Sequence, residues 1–211
     1  MSREITIRLL GLDDCPSVAK IHLYAFPEGA LSRLGHDAVK RYYEWQLIGP
    51  HDCLAAGAFQ DNILEGFIFS GIFRGSLSGY VSKNRWFLVS RVLTRPWLML
   101  NPIILERIKL GLYVLVPPKT DADINLNTAN KVKSFGVLAI AVDPRVQKSG
   151  IGKMLMDAAE KSARDHNIFQ MHLTVHPSNM QAIQFYEKLG WKKTPVGEVW
   201  AGVMNKQLDY D

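Results

Sequence analysis

Cysteine is scarce in this chain of 211 residues: there are 2, Cys15 and Cys53, with no CxxC pair and no ligand cluster. That excludes a disulfide-stapled scaffold and a cysteine-based metal centre, and it makes reducing cytoplasm the expected compartment. Long apolar runs are also missing. In the most apolar stretch the longest run without a charge is Pro96–Leu105, ten residues, whereas a membrane-spanning helix needs about 20. The start, MSREITIRLL, lacks the apolar core of a secretory leader. Repeats and low-complexity tracts are absent. What remains, 47% hydrophobic and 21% charged, is the composition of an ordinary globular protein. The length suits one buried core, so a single domain over 1–211 is expected.

Charge is unevenly supplied. The net charge is +5, yet residues 74–133 carry ten Lys/Arg against three Asp/Glu, a surplus of +7 that leaves the rest of the chain at −2. Any argument about an acidic partner therefore belongs to that segment. Its Arg74, Arg85, Arg91, Arg95, Arg107 and Lys109 stand among Trp86, Phe87, Trp97 and Leu98. They form no regular stacking platform and no binding motif for nucleic acid, so no nucleic-acid partner is expected.

Periodicity predicts α/β order. EITIRLL reads as a strand. Asp13–Ala25 reads as a helix capped by Asp13 or Asp14, with Pro16 in its first turn and Val18, Ile21 and Ala25 on its apolar side. A second helix is expected over Leu31–Leu47, with Leu34, Ala38, Tyr42 and Trp45 on one face. Two apolar runs around Asp61-Asn62 read as a hairpin. Residues 72–132 break the rhythm and read as one or two amphipathic helices inserted into a sheet. The strand SFGVLAIAV follows, then a helix over about 150–166 with Ile151, Leu155, Ala158, Ala159 and Ser162 facing in. After the strand FQMHLTV comes a helix from Ser178 to Leu189, stopped by Gly190. WKKT and EVWAGVMNKQL close the chain as strands.

Between the strand and helix lies IAVDPRVQKSGIGKML, residues 140–155. It is not a Walker A loop, because Gln147 stands at the first glycine position and Met154 has no hydroxyl for Mg²⁺. It is not a dinucleotide fingerprint either, because the third glycine position holds Leu155. Gln147-Lys148-Ser149-Gly150-Ile151-Gly152 instead fits [Q/R]xxGx[G/A]. Its glycines let backbone approach a pyrophosphate at a helix start, where unpaired N–H groups point outward. Lys148 and Lys153 add positive charge. On the last helix Asn179 and Tyr186 are seven residues apart, nearly eclipsed, so an amide and a phenol share one face. A cap at Asn179 and a core aromatic at Tyr186 would account for the same spacing.

The two motifs together resemble the GNAT superfamily of N-acetyltransferases. VDPRVQKSGIGKMLM matches V-x-P-x-x-[QR]-x-x-G-x-G-x-x-L at Val142, Pro144, Gln147, Gly150, Gly152 and Leu155. VHPSNMQAIQFYEKLGW matches N-x-x-A-x-x-F-Y-x-x-x-G-[FW] at Asn179, Ala182, Phe185, Tyr186, Gly190 and Trp191. The resemblance is specific over 135–193 and rests on element order alone over 3–71. It implies a mixed, mostly antiparallel sheet of six or seven strands flanked by helices, with a helical insertion before the central strand. It implies an acyl-CoA, most simply acetyl-CoA, as co-substrate and no metal. The pyrophosphate would lie on Gln147, Lys148, Ser149, Gly150, Ile151, Gly152 and Lys153, with Asn179 beside it. The pantetheine arm would run along Ile140, Ala141 and Val142, whose N–H groups would polarise the thioester. Tyr186 would be the catalytic acid that protonates the departing thiolate, and an amine would attack directly.

A base is left unassigned among Glu28, Glu65, His172 and His176, and Asp143 reads as the residue that opens the loop before Pro144. A small-molecule amine is the leading acceptor, an aminosugar derivative in particular if the arginine-rich segment is a lid for phosphate. A protein N-terminus or lysine, and a non-catalytic acyl-CoA-binding module, are the alternatives. Peripheral membrane contact through the insert and a homodimer through the last strand stay open.

Overall fold

The computed structural model describes residues 4–94, 135–195 and 200–209. In chain order the elements are β1 (Thr6–Leu9), α1 (Cys15–Ala25), α2 (Ala30–Arg33), α3 (His36–Ile48), β2 (Asp52–Gln60), β3 (Ile63–Ile72), α4 (Ser76–Lys83) and α5 (Arg85–Thr94). Then follow β4 (Phe135–Val142), α6 (Ile151–Asp165), β5 (Gln170–Thr174), α7 (Met180–Lys188), β6 (Lys192–Lys193) and β7 (Val203–Gln207). They fall into two compact units. One takes Met1–Leu9, Asp52–Phe73 and Asn130–Asp211, the other Leu10–His51 and Arg74–Ala129.

The first unit holds a seven-stranded open sheet in the order β1-β2-β3-β4-β5-β7-β6. All pairs are antiparallel except β4 with β5. The β2–β3 hairpin turns at Asp61 and Asn62, with φ of 50° and 63°, the two positive values of a tight turn that follows the sheet twist. β3 and β4 stay paired from Gly71↔Gly136 to Gly66↔Val142, but the register skips Leu138. Beside it β4 pairs with β5 only at Phe135↔Met171, Gly136↔His172 and Val137↔Leu173. The parallel ladder therefore stops where the extra residue sits. A bulge bends its strand and sharpens the local twist, which turns the rest of β4 away from β5. β5 stays with β7 instead, and Val175 N–H continues that pairing to Gly202 O at 2.9 Å.

Helix α6 buries Ile151, Leu155, Met156, Ala159 and Ala163 in a cluster shared with Ile68, Phe135, Met171 and Met204. Each fully buried Leu- or Met-sized side chain contributes about 1.5–3 kcal/mol. The inward face differs from the expected one. Ala158 and Ser162 are half-buried, and Met156, Glu160 and Ala163 take their places. Glu160 tolerates burial because Lys206 Nζ lies 2.5 Å from its carboxylate, a pairing across the chain that spacing alone does not reveal.

In the second unit α1 packs on α3. The continuous helix expected over 31–47 is two helices, because Gly35 adopts φ +93° and ends α2. The new start shifts the buried face of α3 to Ala38, Val39, Tyr43 and Gln46. Leu34, Tyr42 and Trp45 are half-buried. A short 3₁₀ turn, Leu12–Asp14, precedes α1, and Asp14 accepts from Gly11 N–H at 2.9 Å rather than capping α1. The described part of the insertion between β3 and β4, up to residue 94, carries the helices α4 and α5, and α4 anchors through buried Tyr80, which donates to Ala38 O at 3.0 Å. The expectations at Arg95, Trp97, Leu98, Arg107 and Lys109 lie outside the described residues. Both thiols are poor nucleophiles, since burial pushes Cys15 up to about 12 and Cys53 to about 11.

His22 sits in this unit with Nδ1 2.9 Å from the Tyr43 hydroxyl and Nε2 buried without a partner among the described residues. Burial lowers its pKa to about 4. The unfolded chain, with an ordinary value near 6.5, takes up a proton that the native state refuses. Stability is therefore retained above pH 6.5 and lost as pH falls toward 4, by up to about 3 kcal/mol. Urea unfolding of His22→Gln across this range should lose that part of the pH dependence; an unchanged slope would remove His22 as its cause.

Candidate active site

The split between β4 and β5 is continued by the loop that joins β4 to α6. Asp143, 2% exposed, fixes its start. Its N–H donates to Glu65 O at 2.7 Å, and its carboxylate accepts from Arg145 N–H and Nε–H at 2.9 Å and from Nη2–H at 2.7 Å. The expectation that Asp143 opens the loop thus has a concrete form: it caps the 3₁₀ turn Pro144–Val146. Ser149 Oγ donates to Val146 O at 2.6 Å and tightens the next turn. Lys148 and Gly150 both take positive φ, 66° and 87°, so the chain reverses into α6. The first helical bond runs from Met154 N–H to Gly150 O. The N–H groups of Ile151, Gly152 and Lys153 therefore stand at the helix start with no partner inside the helix, at the positive end of its dipole.

The two glycines serve different purposes. A Cβ on Gly150 would meet nothing within 4 Å, so that residue answers to backbone conformation and leaves its surroundings open. A Cβ on Gly152 would lie 3.2 Å from the Phe185 ring, so that glycine admits α7 against the start of α6. Gln181 Nε2 donates to Gln147 Oε1 at 3.4 Å across the same junction. Phe185 is half-buried at this seam.

The structure brings most of the expected site residues together. Ile140, Ala141 and Val142 line the part of β4 beyond its last pair with β5. Gln147, Lys148, Ser149 and Gly150 are exposed on the loop. Ile151 is buried in the core, so only its backbone is available to a ligand. Lys153 Nζ lies 2.6 Å from Asp157 Oδ2, and that hydrogen bond and charge raise its pKa. The i,i+4 spacing of Lys153 and Asp157 on a helix is the sequence signal for this pair.

On α7 the amide and phenol have structural duties. Asn179 caps the helix, its Oδ1 accepting from Ala182 N–H at 3.1 Å. Tyr186 is 8% exposed, between Phe185 and Trp191 at centroid distances of 5.3 and 6.1 Å. Burial pushes its pKa up to about 12, so the phenol keeps its proton throughout the neutral range.

The four candidate bases are scattered in role. Glu28 pairs with Arg33. Glu65 lies on the β3 side of a register shift in the β2–β3 ladder. His172 lies against Gly136, where an added Cβ would be 2.9 Å from its ring, and desolvation lowers its pKa. His176 Nδ1 lies 2.7 Å from Ser178 Oγ and accepts from Ser178 N–H at 3.3 Å, which shapes the turn between β5 and α7. Nothing in these contacts distinguishes one of them as the base.

Residues 120–191 match the sequence model of the acetyltransferase (GNAT) family, which bears out the resemblance carried by the two motifs. Among curated relatives, an N-alpha-acetyltransferase of Saccharolobus solfataricus is 39% identical over 66 residues, 31% of this chain and 40% of the relative. The chain spans about two fifths of that relative's length or less in each of the matches to curated proteins. Among solved structures, PaiA N-acetyltransferase from Thermoplasma acidophilum in complex with coenzyme A aligns with a TM-score of 0.57 at 17% identity, covering 97% of this chain and 99% of that one. The ribosomal-protein-S18-alanine N-acetyltransferase of Escherichia coli aligns with a TM-score of 0.56 at 16% identity, covering 99% and 96%. These alignments establish a shared fold.

The different duties of the glycines predict different costs. Gly150→Ala should lose about 1–2 kcal/mol from backbone strain alone. Gly152→Val should lose about 1–3 kcal/mol through overpacking on Phe185, and Phe185→Ala in the same chain should restore part of it. Chemical denaturation of the variants measures both, and no rescue in the double variant would show that the seam is not the cause.

Proposed function

We propose that this chain is an acyl-CoA-dependent N-acyltransferase that moves an acetyl group to a primary amine. The observation that carries the proposal is the continuity of the β4–β5 split with a helix start whose first three backbone N–H groups have no partner within the helix. An extended arm needs a free strand edge, and a pyrophosphate needs convergent donors without a side-chain obstruction; this arrangement offers both. The N–H groups of Ile151, Gly152 and Lys153, with the Lys148 charge, would hold the pyrophosphate. The backbone of Ile140, Ala141 and Val142 would hold the pantetheine arm and orient it, and Asn179, already spent on its cap, would contribute through its free NH₂. When bound, acetyl-CoA supplies the acyl group activated as a thioester. Tyr186 holds a proton at neutral pH for the departing thiolate. Its raised pKa makes full transfer to a thiol of ordinary pKa near 8.5 uphill, so its contribution is a strong hydrogen bond that grows as negative charge appears on sulfur.

The acceptor reading follows from basicity. A polypeptide α-amine, with a pKa near 7.7–8.0, is partly neutral at physiological pH, whereas a lysine-like amine near 10.4 needs a base. An α-amine asks less of a base than a lysine-like amine, and the N-alpha-acetyltransferase relative points the same way. A small-molecule amine, an aminosugar derivative above all, is the second reading, supported by the cations of residues 74–133.

Calorimetric titration with acetyl-CoA should show binding that a Gly150→Glu, Gly152→Glu variant abolishes; absence of binding to the folded wild type would end the proposal. Tyr186→Phe, which keeps the ring packing, should lower kcat by about 10²-fold or more with little change in the KM for acetyl-CoA. An unchanged kcat would remove Tyr186 from the chemistry. Thiol release in a panel of free-N-terminus peptides and nucleotide aminosugars separates the two acceptor readings.

A further inference from the structure

From Gly66 to Leu105 the sequence has no Asp or Glu but five cations: Arg74, Lys83, Arg85, Arg91 and Arg95. Within this stretch α5 half-buries Phe87, Leu88 and Val92 and leaves its other three apolar residues exposed. Trp86, Val89 and Leu93, spaced i, i+3 and i+7, form one stripe and are 75%, 48% and 75% exposed. None of the residues of α5 is buried. Its opposite face is held by polar contacts: Arg91 pairs with Asp37, and Phe87 lies under the guanidinium groups of Arg41 and Arg91, 4.5 and 5.2 Å from its centroid. α4 adds exposed Leu77. Arg74, Lys83 and Arg85 are exposed, and among the described residues none of the three has an acidic partner; Arg85 lies over the Trp86 ring at 5.6 Å.

We infer that the outer face of α5 docks on an anionic lipid surface. The chemistry matches in three respects. The stripe is apolar and includes a tryptophan, whose amphipathic ring favours the headgroup boundary. Arg85, next to the stripe on the same helix, has no acidic partner among the described residues, and such a cation adds attraction to an anionic leaflet. The face that holds the helix uses the Arg91–Asp37 pair, the cation–π contacts of Phe87 and half-buried Leu88 and Val92, so among the described residues Trp86, Val89 and Leu93 face outward. A protein partner with an acidic groove would satisfy the charge, but an acid-free stretch of forty residues suits a surface without fixed geometry better than a shaped one. The inference is independent of acyl transfer.

Co-sedimentation of the full chain with phosphatidylcholine vesicles, with and without phosphatidylserine, tests it. Binding should require phosphatidylserine, weaken at high salt, and be accompanied by a blue shift of tryptophan emission that Trp86→Phe diminishes. Arg85→Glu, which leaves the stripe intact, should weaken partitioning roughly tenfold or more. Trp86→Ser with Leu93→Ser should do the same, and both variants should keep the wild-type unfolding midpoint because the altered side chains are exposed. No binding to phosphatidylserine vesicles, equal binding by the variants, or self-association in ultracentrifugation that the Trp86/Leu93 variant abolishes would each overturn the inference; the last would make a second copy the occupant.

Discussion

The candidate site depends on one extra residue. β3 and β4 run together over the full length of β4, while β4 and β5 share three pairs, and Leu138 is the residue that the β3–β4 register passes over at the point of divergence. A strand in the middle of a sheet normally has both edges satisfied, and a buried unpaired edge costs about 1–3 kcal/mol for each orphaned group. The split is sustained because each strand keeps its antiparallel neighbour: β4 holds β3 to Val142, and β5 holds β7 to Thr174 and, through Val175, to Gly202. The opened edge is then available to any extended ligand with its own donors and acceptors. The helix start at Gly150 lies just beyond that edge, and a ligand running along β4 meets an anion-seeking group next.

The residues that mark the site also build it. Asn179 is a cap, Gly152 is a clearance for Phe185, Asp143 is a turn anchor, and Tyr186 is a core aromatic. Such double duty makes loss of activity in an alanine variant uninformative by itself, because truncating Tyr186 removes packing worth about 3 kcal/mol or more. It also sets the electrostatics. The apolar packing that positions the phenol is what raises its pKa to about 12, so position and acidity are not independently adjustable at this residue.

Much of this was legible in the sequence because the relevant signals are local. Asp61-Asn62 marks its turn, the glycine loop its strand–helix junction, and the 3.6-residue period of α6 half of its buried face, at Ile151, Leu155 and Ala159. What was illegible depends on partners distant in sequence. Glu160 looks like a surface residue until Lys206 arrives beside it on β7. The bulge at Leu138 has no signature in LAIAV, since a register skip is a property of two strands. Gly35 is a readable stop, as a glycine inside an apolar helical pattern often is, but the stripe of Leu34, Ala38, Tyr42 and Trp45 runs across it and masks the break. The exposed face of α5 runs the other way: its pattern is that of a helix with a buried side, and only the fold shows that side turned outward.

The insertion that carries α5 separates two strands that a tight hairpin would join. About 60 residues lie between Ile72 and Phe135, and closing a loop of that length rather than one of about four costs roughly 2–3 kcal/mol of chain entropy. Burial of Tyr80, with its hydrogen bond to Ala38 O, offsets an amount of that order. The insert is therefore tolerable to the fold through α4 alone. In the described part of the insert Trp86, Val89 and Leu93 are exposed, and three exposed large hydrophobic side chains on one helix stripe are a liability for solubility. The proposed lipid surface would remove that liability, because it would take the stripe out of water when the protein docks.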